Sequence, residues 1–130
     1  MNVQIKTFPG LDRGNHVIAI TAGVVDSAGF RQIFERVIDA TRSLLDCRVL
    51  IDLQDSTFKI LPSDVREFMD RFEPANWPHN NKVALVSDSE TEQYRQLVMF
   101  GEGLLKLDLK VGVFYDIKEA ISWLAGIPNQ

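Results

Sequence analysis

The sequence predicts an α/β domain: a mixed, mostly parallel five-stranded sheet with four helices, in the order ββαβαβαβα. Three observations carry this. After the second strand, short β-favouring runs alternate with longer segments of helical period, and such alternation implies parallel pairing through right-handed crossovers. The second to fifth runs are apolar at both alternating parities, as in a sheet covered on both faces. At 130 residues, 45% of them hydrophobic, the chain fits one domain, 1–130, that buries roughly two-thirds of its unfolded surface without disulfide or metal staples.

The elements follow in order. Val3 to Phe8 alternates loosely, as an edge strand would. Pro9-Gly10 and Gly14-Asn15 are turn signals, so Val17 to Ala22 (VIAITA) forms the second arm of an antiparallel hairpin. Asp26 is a candidate N-cap for a helix whose Phe30, Ile33, Phe34, Val37, Thr41, Leu44 and Leu45 recur at helical spacing. Arg48 to Leu53 is the third strand, and a polar loop is expected after it. A second helix opens at Pro62 or Ser63, carries Val65, Phe68, Met69 and Phe72 on one stripe, and stops before Pro74. Residues 76–81 are a loop around Trp77. Lys82 to Val86 is the fourth strand.

Ser89 with Glu92 forms a capping box for the third helix. Tyr94, Leu97, Val98, Gly101, Leu104 and Leu105 make its apolar side. Gly101 and Gly103 within it each cost about 1 kcal/mol against alanine, a loss that close approach to a neighbouring element would offset. Lys110 to Phe114 is the fifth strand. Asp116 and Glu119 repeat the capping pattern for a last helix bearing Ile117, Ala120, Ile121 and Leu124. Gly126 suits its C′ position, and Pro128 blocks continuation. One tension remains: if all crossovers lie on one face, the other needs a cover, and a second copy of the chain (a homodimer) is one candidate.

Composition narrows the function. Lys and Arg number 14 against 18 Asp and Glu, a formal charge of −4 with no dense basic stripe in the sequence, which argues against nucleic acid as partner. Cys47 is the single cysteine; at a strand entrance it reads as a small core residue rather than a reactive thiol. The N-terminal MNVQIKTFPG lacks the pattern of a signal peptide. No apolar run reaches the roughly 18 residues of a membrane span. A cytoplasmic location is expected.

Catalytic templates are poorly matched. His16 opens a strand and His79 lies in a turn, so neither pairs with Cys47 or a serine for nucleophilic catalysis. Zinc-ligand spacing, the P-loop and the G-x-G-x-x-G turn do not occur, and no cofactor is called for. Attention falls on RVLIDLQDSTFKILPSD, where an apolar strand runs into a polar segment at the carboxyl end, the side on which open α/β sheets bind ligands. Asp55 there is a candidate contact for a ligand or partner. Asp52 and Asp55, with Asp88 after the fourth strand, could serve metal-dependent phosphotransfer; hydrogen bonding to loop amides is the competing reading. Ser56, Thr57 and Ser63 are candidate phosphorylation sites, each able to gain nearly two negative charges near a helix N-terminus. Phe58, Ile60 and Leu61 either tuck under the sheet or line a pocket or contact surface.

The segments DLQDSTFKILPSDV, KVALVSDSE and VGVFYDIKEAISWLAG, in this order, resemble the STAS-like superfamily, the fold of bacterial anti-sigma-factor antagonists, in its poorly characterised bacterial branch. The resemblance spans nearly the whole chain, and its clearest part is the closing VFYDIKEAISWL, a strand followed by a capped helix. It implies a mixed sheet and a regulatory or binding role instead of catalysis. In antagonist members a D-S-S-G-like motif after the third strand supplies a serine that a partner kinase phosphorylates. By position that motif falls on Leu61-Pro62-Ser63-Asp64, which puts Pro62 at the phosphoacceptor position and Asp64 where glycine is expected. The chain thus departs from the motif. Some members of the branch look like binders of small apolar ligands, and Phe58, Ile60, Leu61 and Phe68 are the lining residues this implies.

The expected function is therefore a non-catalytic regulatory or binding module that recognises a protein partner or small apolar ligand after the third strand. The alternatives are a phosphorylation-controlled regulator of the anti-sigma-antagonist type and a metal-dependent phosphotransfer enzyme.

Overall fold

A computed structural model describes residues 2–9, 15–41, 47–59, 63, 66–67, 82–88, 91–105 and 110–126. Five strands, β1 (Asn2–Pro9), β2 (Asn15–Asp26), β3 (Cys47–Lys59), β4 (Lys82–Val86) and β5 (Lys110–Phe114), form one sheet in the order β1-β2-β3-β4-β5. β1 pairs antiparallel with β2; the remaining pairs are parallel. The hairpin and the mixed sheet are as the sequence predicts. Among the described residues three helices are complete: α1 (Ser27–Thr41), α2 (Thr91–Leu105) and α3 (Ile117–Leu124). The fourth expected helix falls on a segment of which only Ser63, Arg66 and Glu67 are described, all three helical.

Local chemistry sets the helix ends. Asp26 caps α1, its Oδ1 accepting from the Gly29 amide at 2.8 Å. Asp116 caps α3 by accepting from the Lys118 amide at 2.9 Å, and each cap satisfies an amide that the first helical turn leaves without a partner. At the other end of α3, Gly126 takes a φ of 74°. Its amide donates to the Trp123 carbonyl, the left-handed exit that glycine makes inexpensive. The Ser89 cap proposed for α2 lies outside the described residues.

The chain itself covers one face of the sheet and, over β3–β5, the other. α1 and α2 lie on one face, where Ile33, Phe34, Val37, Leu97 and Phe100 pack with Val17, Val49, Ile51, Val83 and Leu85. The Phe100 ring meets Phe30 edge-on at 4.6 Å and Phe34 at 5.2 Å, so three aromatics join the two helices. α3 lies on the opposite face, where Ala120 and Leu124 pack with Leu50, Ala84 and Val86. The strand order explains the division. Crossovers that all advance one way across the sheet must, being right-handed, share a face; α3 follows the last strand and is free of that rule. It supplies over β3–β5 the cover for which a second copy was a candidate. Cys47 is fully buried in the first core, as expected.

Gly101 shows why a helix tolerates this glycine: a Cβ there would lie 2.9 Å from Val113 Cγ2. Close approach of α2 to β5 offsets the loss of helical propensity. No helix among the described residues is long and apolar enough to cross a membrane.

Candidate functional site

The third strand departs from expectation. It does not end at Leu53 but continues to Lys59, and β2 runs on to Asp26 instead of stopping at Ala22. The segment after Leu53, expected to be a loop, is strand over its first six residues. The physical reason is mutual pairing. Ala22, Gly23, Val24, Val25 and Asp26 stand opposite Asp55, Ser56, Thr57, Phe58 and Lys59, so each poor β-former is held by a ladder that local propensity does not report. β4 reaches only as far as Asp52, which faces Val86, and β1 only as far as Ala22. Beyond those points, among the described residues, β2 and β3 form a two-stranded ribbon.

A bulge separates the ribbon from the sheet. Between Ile20 and Ala22 stands one residue, whereas between their partners Asp52 and Asp55 stand two. The extra residue bends and twists a strand locally. Asp52 holds it: its Oδ1 accepts from the Gln54 amide at 3.0 Å. From the other side, the Thr21 hydroxyl donates to the Asp52 carbonyl at 3.4 Å and lies 2.5 Å from the Ser56 hydroxyl. Either hydroxyl of that pair can be the donor. The bulge is thus pinned by one carboxylate and two hydroxyls.

The ribbon has a dry side and a wet side. Thr21, Val25 and Ser56 are buried, Ser56 to 3% exposure. Val24, Asp55, Thr57 and Lys59 are exposed, with Val24 opposite Thr57 and Asp26 opposite Lys59. The wet side therefore carries an apolar branched side chain, a hydroxyl, and charges of both signs within the roughly 5 Å spacing of paired strands.

The expected site residues that are described can now be placed. Asp55 and Thr57 share the wet side. Ser56 is buried and hydrogen-bonded, so its hydroxyl is not available to solvent as a loop residue's would be. Ser63 is exposed and helical. Phe58 belongs to β3 opposite Val25; Ile60, Leu61 and Phe68 lie outside the described residues. Asp52 takes the amide-binding role, and Asp88 is half-buried after β4, where the Ser87 hydroxyl donates to its carbonyl at 2.8 Å. Among the described residues, Asp52, Asp55 and Asp88 do not gather into a set able to hold a metal ion. Thr21, Gly23 and Val24 went unnoticed as part of the site. The β-branched Val24-Val25 pair directly after VIAITA was the available signal.

Comparison with known proteins agrees with this architecture. The family model described as SpoIIAA-like matches residues 17–125, and the chain belongs to that family. Among solved structures, it is similar to an uncharacterized protein of the DUF3478 family with a SpoIIAA-like fold from Shewanella loihica PV-4. Identity there is 14%, coverage 94% of this chain and 93% of that one, and the TM-score 0.57. It is also similar to the anti-sigma factor antagonist SpoIIAA in its unphosphorylated form, at 17% identity, 97% and 100% coverage and a TM-score of 0.51. No curated protein matches.

Proposed function

We propose that this SpoIIAA-like chain is a non-catalytic regulatory module that docks a protein partner on the wet side of the β2–β3 ribbon. The observation that carries the reading is the exposed group Val24, Asp55, Thr57 and Lys59, held by a bulge whose every polar atom named above has a partner. A pinned, projecting strand pair with one apolar contact and both signs of charge suits protein recognition, where fixed polar groups give specificity. Among the described residues no interaction pairs a nucleophile with a base. A small apolar ligand would depend on Ile60, Leu61 and Phe68, and no described contact favours it.

A second reading has its own observation. The similar antagonist SpoIIAA is described in an unphosphorylated form, and here Thr57 presents an exposed hydroxyl beside the exposed Asp55. A phosphate on Thr57 would add nearly two negative charges to the docking side and so release a partner that meets Lys59 with an acidic group. Ser63 is the other exposed hydroxyl among the three expected.

Cross-linking from Lys59 in an extract of the source cell, followed by mass spectrometry, tests the docking. One adduct is expected with the wild-type chain, lost in Asp55→Lys with Thr57→Glu while the circular-dichroism melt is unchanged. An identical set of adducts from both chains would sink the reading.

A further inference from the structure

β1 is an outer strand of the sheet, and among the described residues no strand lies beyond it. Two observations show which of its backbone groups point outward. The Arg36 guanidinium, from α1, donates to the Val3 carbonyl at 3.2 Å in an exposed setting, so position 3 turns its backbone away from β2. Pro9 stands opposite Asn15 in the β1–β2 register yet has no N–H to give, which a ladder tolerates where that group faces outward. Positions 3 and 9 share a parity, and inward and outward groups alternate along an antiparallel pair. Val3, Ile5, Thr7 and Pro9 therefore present their backbone to the edge, while that of Asn2, Gln4, Lys6 and Phe8 faces β2. Val3 and Ile5 are half-buried against the first core, which leaves part of their apolar surface at the rim. Gln4 and Lys6 are exposed and, by alternation, lie on the other face.

We infer that β1 is where a second copy of this chain joins, strand to strand and antiparallel, about a two-fold axis at Ile5. Outward groups must meet outward groups, so odd positions stand opposite odd positions. With Ile5 opposite its own copy, Val3 meets Thr7, and each facing pair exchanges both its N–H···O bonds. Pro9, which lacks a donor, falls beyond the start of the other β1 at Asn2 and loses nothing. Gln4 stands opposite Lys6 on both sides of the axis, in pairs whose Cα atoms come within about 4.5 Å. There the Gln4 amide oxygen can accept from the ammonium.

The neighbouring registers are worse. Slipped one way, Lys6 meets Lys6 and Pro9 meets Val3, which adds a like-charge pair and forfeits a bond. Slipped the other way, Gln4 meets Gln4 and Thr7 passes the start of the other β1 at Asn2. A strand that fits its own copy in one register without conflict argues for a second copy, the isologous contact of a two-fold dimer. Arg36 opposes the union. It holds the Val3 carbonyl that the Thr7 amide of the second copy needs, and such a cation on an edge is a device against strand addition. The joint forms when Arg36 lets go. β1 pairs no further than Ala22, so the seam does not use the ribbon.

Sedimentation velocity of the full chain over a range of concentrations tests this. A reversible dimer is expected. Arg36→Ala should tighten it about fivefold or more, since each dimer frees two carbonyls. Gln4→Lys, an exposed change, should weaken it about fivefold by setting two ammonium groups together on each side of the axis. Adding Lys6→Gln to Gln4→Lys exchanges the two side chains and should restore the wild-type constant, which neither slipped register predicts. Thr7→Pro removes an outward N–H that β2 does not use, and should abolish the dimer with the circular-dichroism melt retained; if that variant does not fold, the exchanged pair decides. A monomer at every concentration, in wild type and Arg36→Ala alike, overturns the inference. So does association that Gln4→Lys leaves unchanged or that the exchange fails to restore, which would place the joint elsewhere. A chain that stays monomeric yet loses its Lys59 adducts in Thr7→Pro also overturns it, and assigns the edge to a strand of a foreign partner.

Discussion

The hydroxyls of Thr21 and Ser56 lie 2.5 Å apart across β2 and β3, both buried, and the Thr21 hydroxyl also donates a hydrogen bond to the Asp52 carbonyl. Polar atoms so far from water are stable only as a set.

Removing one hydroxyl should therefore cost more than removing both. Ser56→Ala or Thr21→Val alone strands a buried partner, for about 1–3 kcal/mol. The double variant should lose less than the sum of the two singles. Urea denaturation of the four chains measures the coupling; strict additivity would mean that the pair is not a unit.

Gly101 and Val113 make a second cycle. Gly101→Ala gains about 1 kcal/mol of helical propensity but places a methyl 2.9 Å from Val113 Cγ2. Overpacking of this kind costs about 1–3 kcal/mol, so net destabilisation is expected. In a Val113→Ala background the sign should reverse. Thermal unfolding that shows Gly101→Ala stabilising in the wild-type chain contradicts the close approach of α2 to β5.

Asp26 ends β2 and caps α1 in one residue. Asp26→Ala should cost about 0.5–2 kcal/mol, whereas Asp26→Asn should recover most of it, since the Asn oxygen can accept from the Gly29 amide equally well. If Asn were as damaging as Ala in chemical denaturation, the charge facing Lys59, and not the cap, would be the larger effect.

Much of this architecture is legible in the residues. The strand–helix alternation, the Asp26 and Asp116 caps, the Gly126 exit and the burial of Cys47 follow from local chemistry that the fold does not override. The reach of β2 and β3 is not legible. Gly23, Asp26, Asp55 and Ser56 are poor strand formers, and they stay extended because each pairs across the β2–β3 ladder, a relation with no local trace. The bulge hides the pattern further: Asp52 and Asp55 share a face although the two residues between them would put them on opposite faces in simple alternation. Coverage of the second face was undecidable for another reason. The rule that fixes crossover helices does not apply to α3, so its side is set by where Phe114, Trp123 and Leu124 find apolar surface. As for the candidate site, Asp55 and Thr57 were recognisable as polar residues past an apolar run, whereas their neighbours on β2 required the register.

The bulge at Leu53 and Gln54 makes β3 editable at one point. Loss of a residue inside a strand ordinarily turns everything downstream inside out, and such edits are rarely survived. Here the ladder already has a surplus member, and excising Gln54 would leave Asp52 and Asp55 in ordinary alternation with Ser56 still under cover. Shortening at this spot would change the angle at which the ribbon leaves the body and nothing about which groups meet water. Related chains could therefore vary how this ribbon is aimed by a single codon, without redesigning the interior.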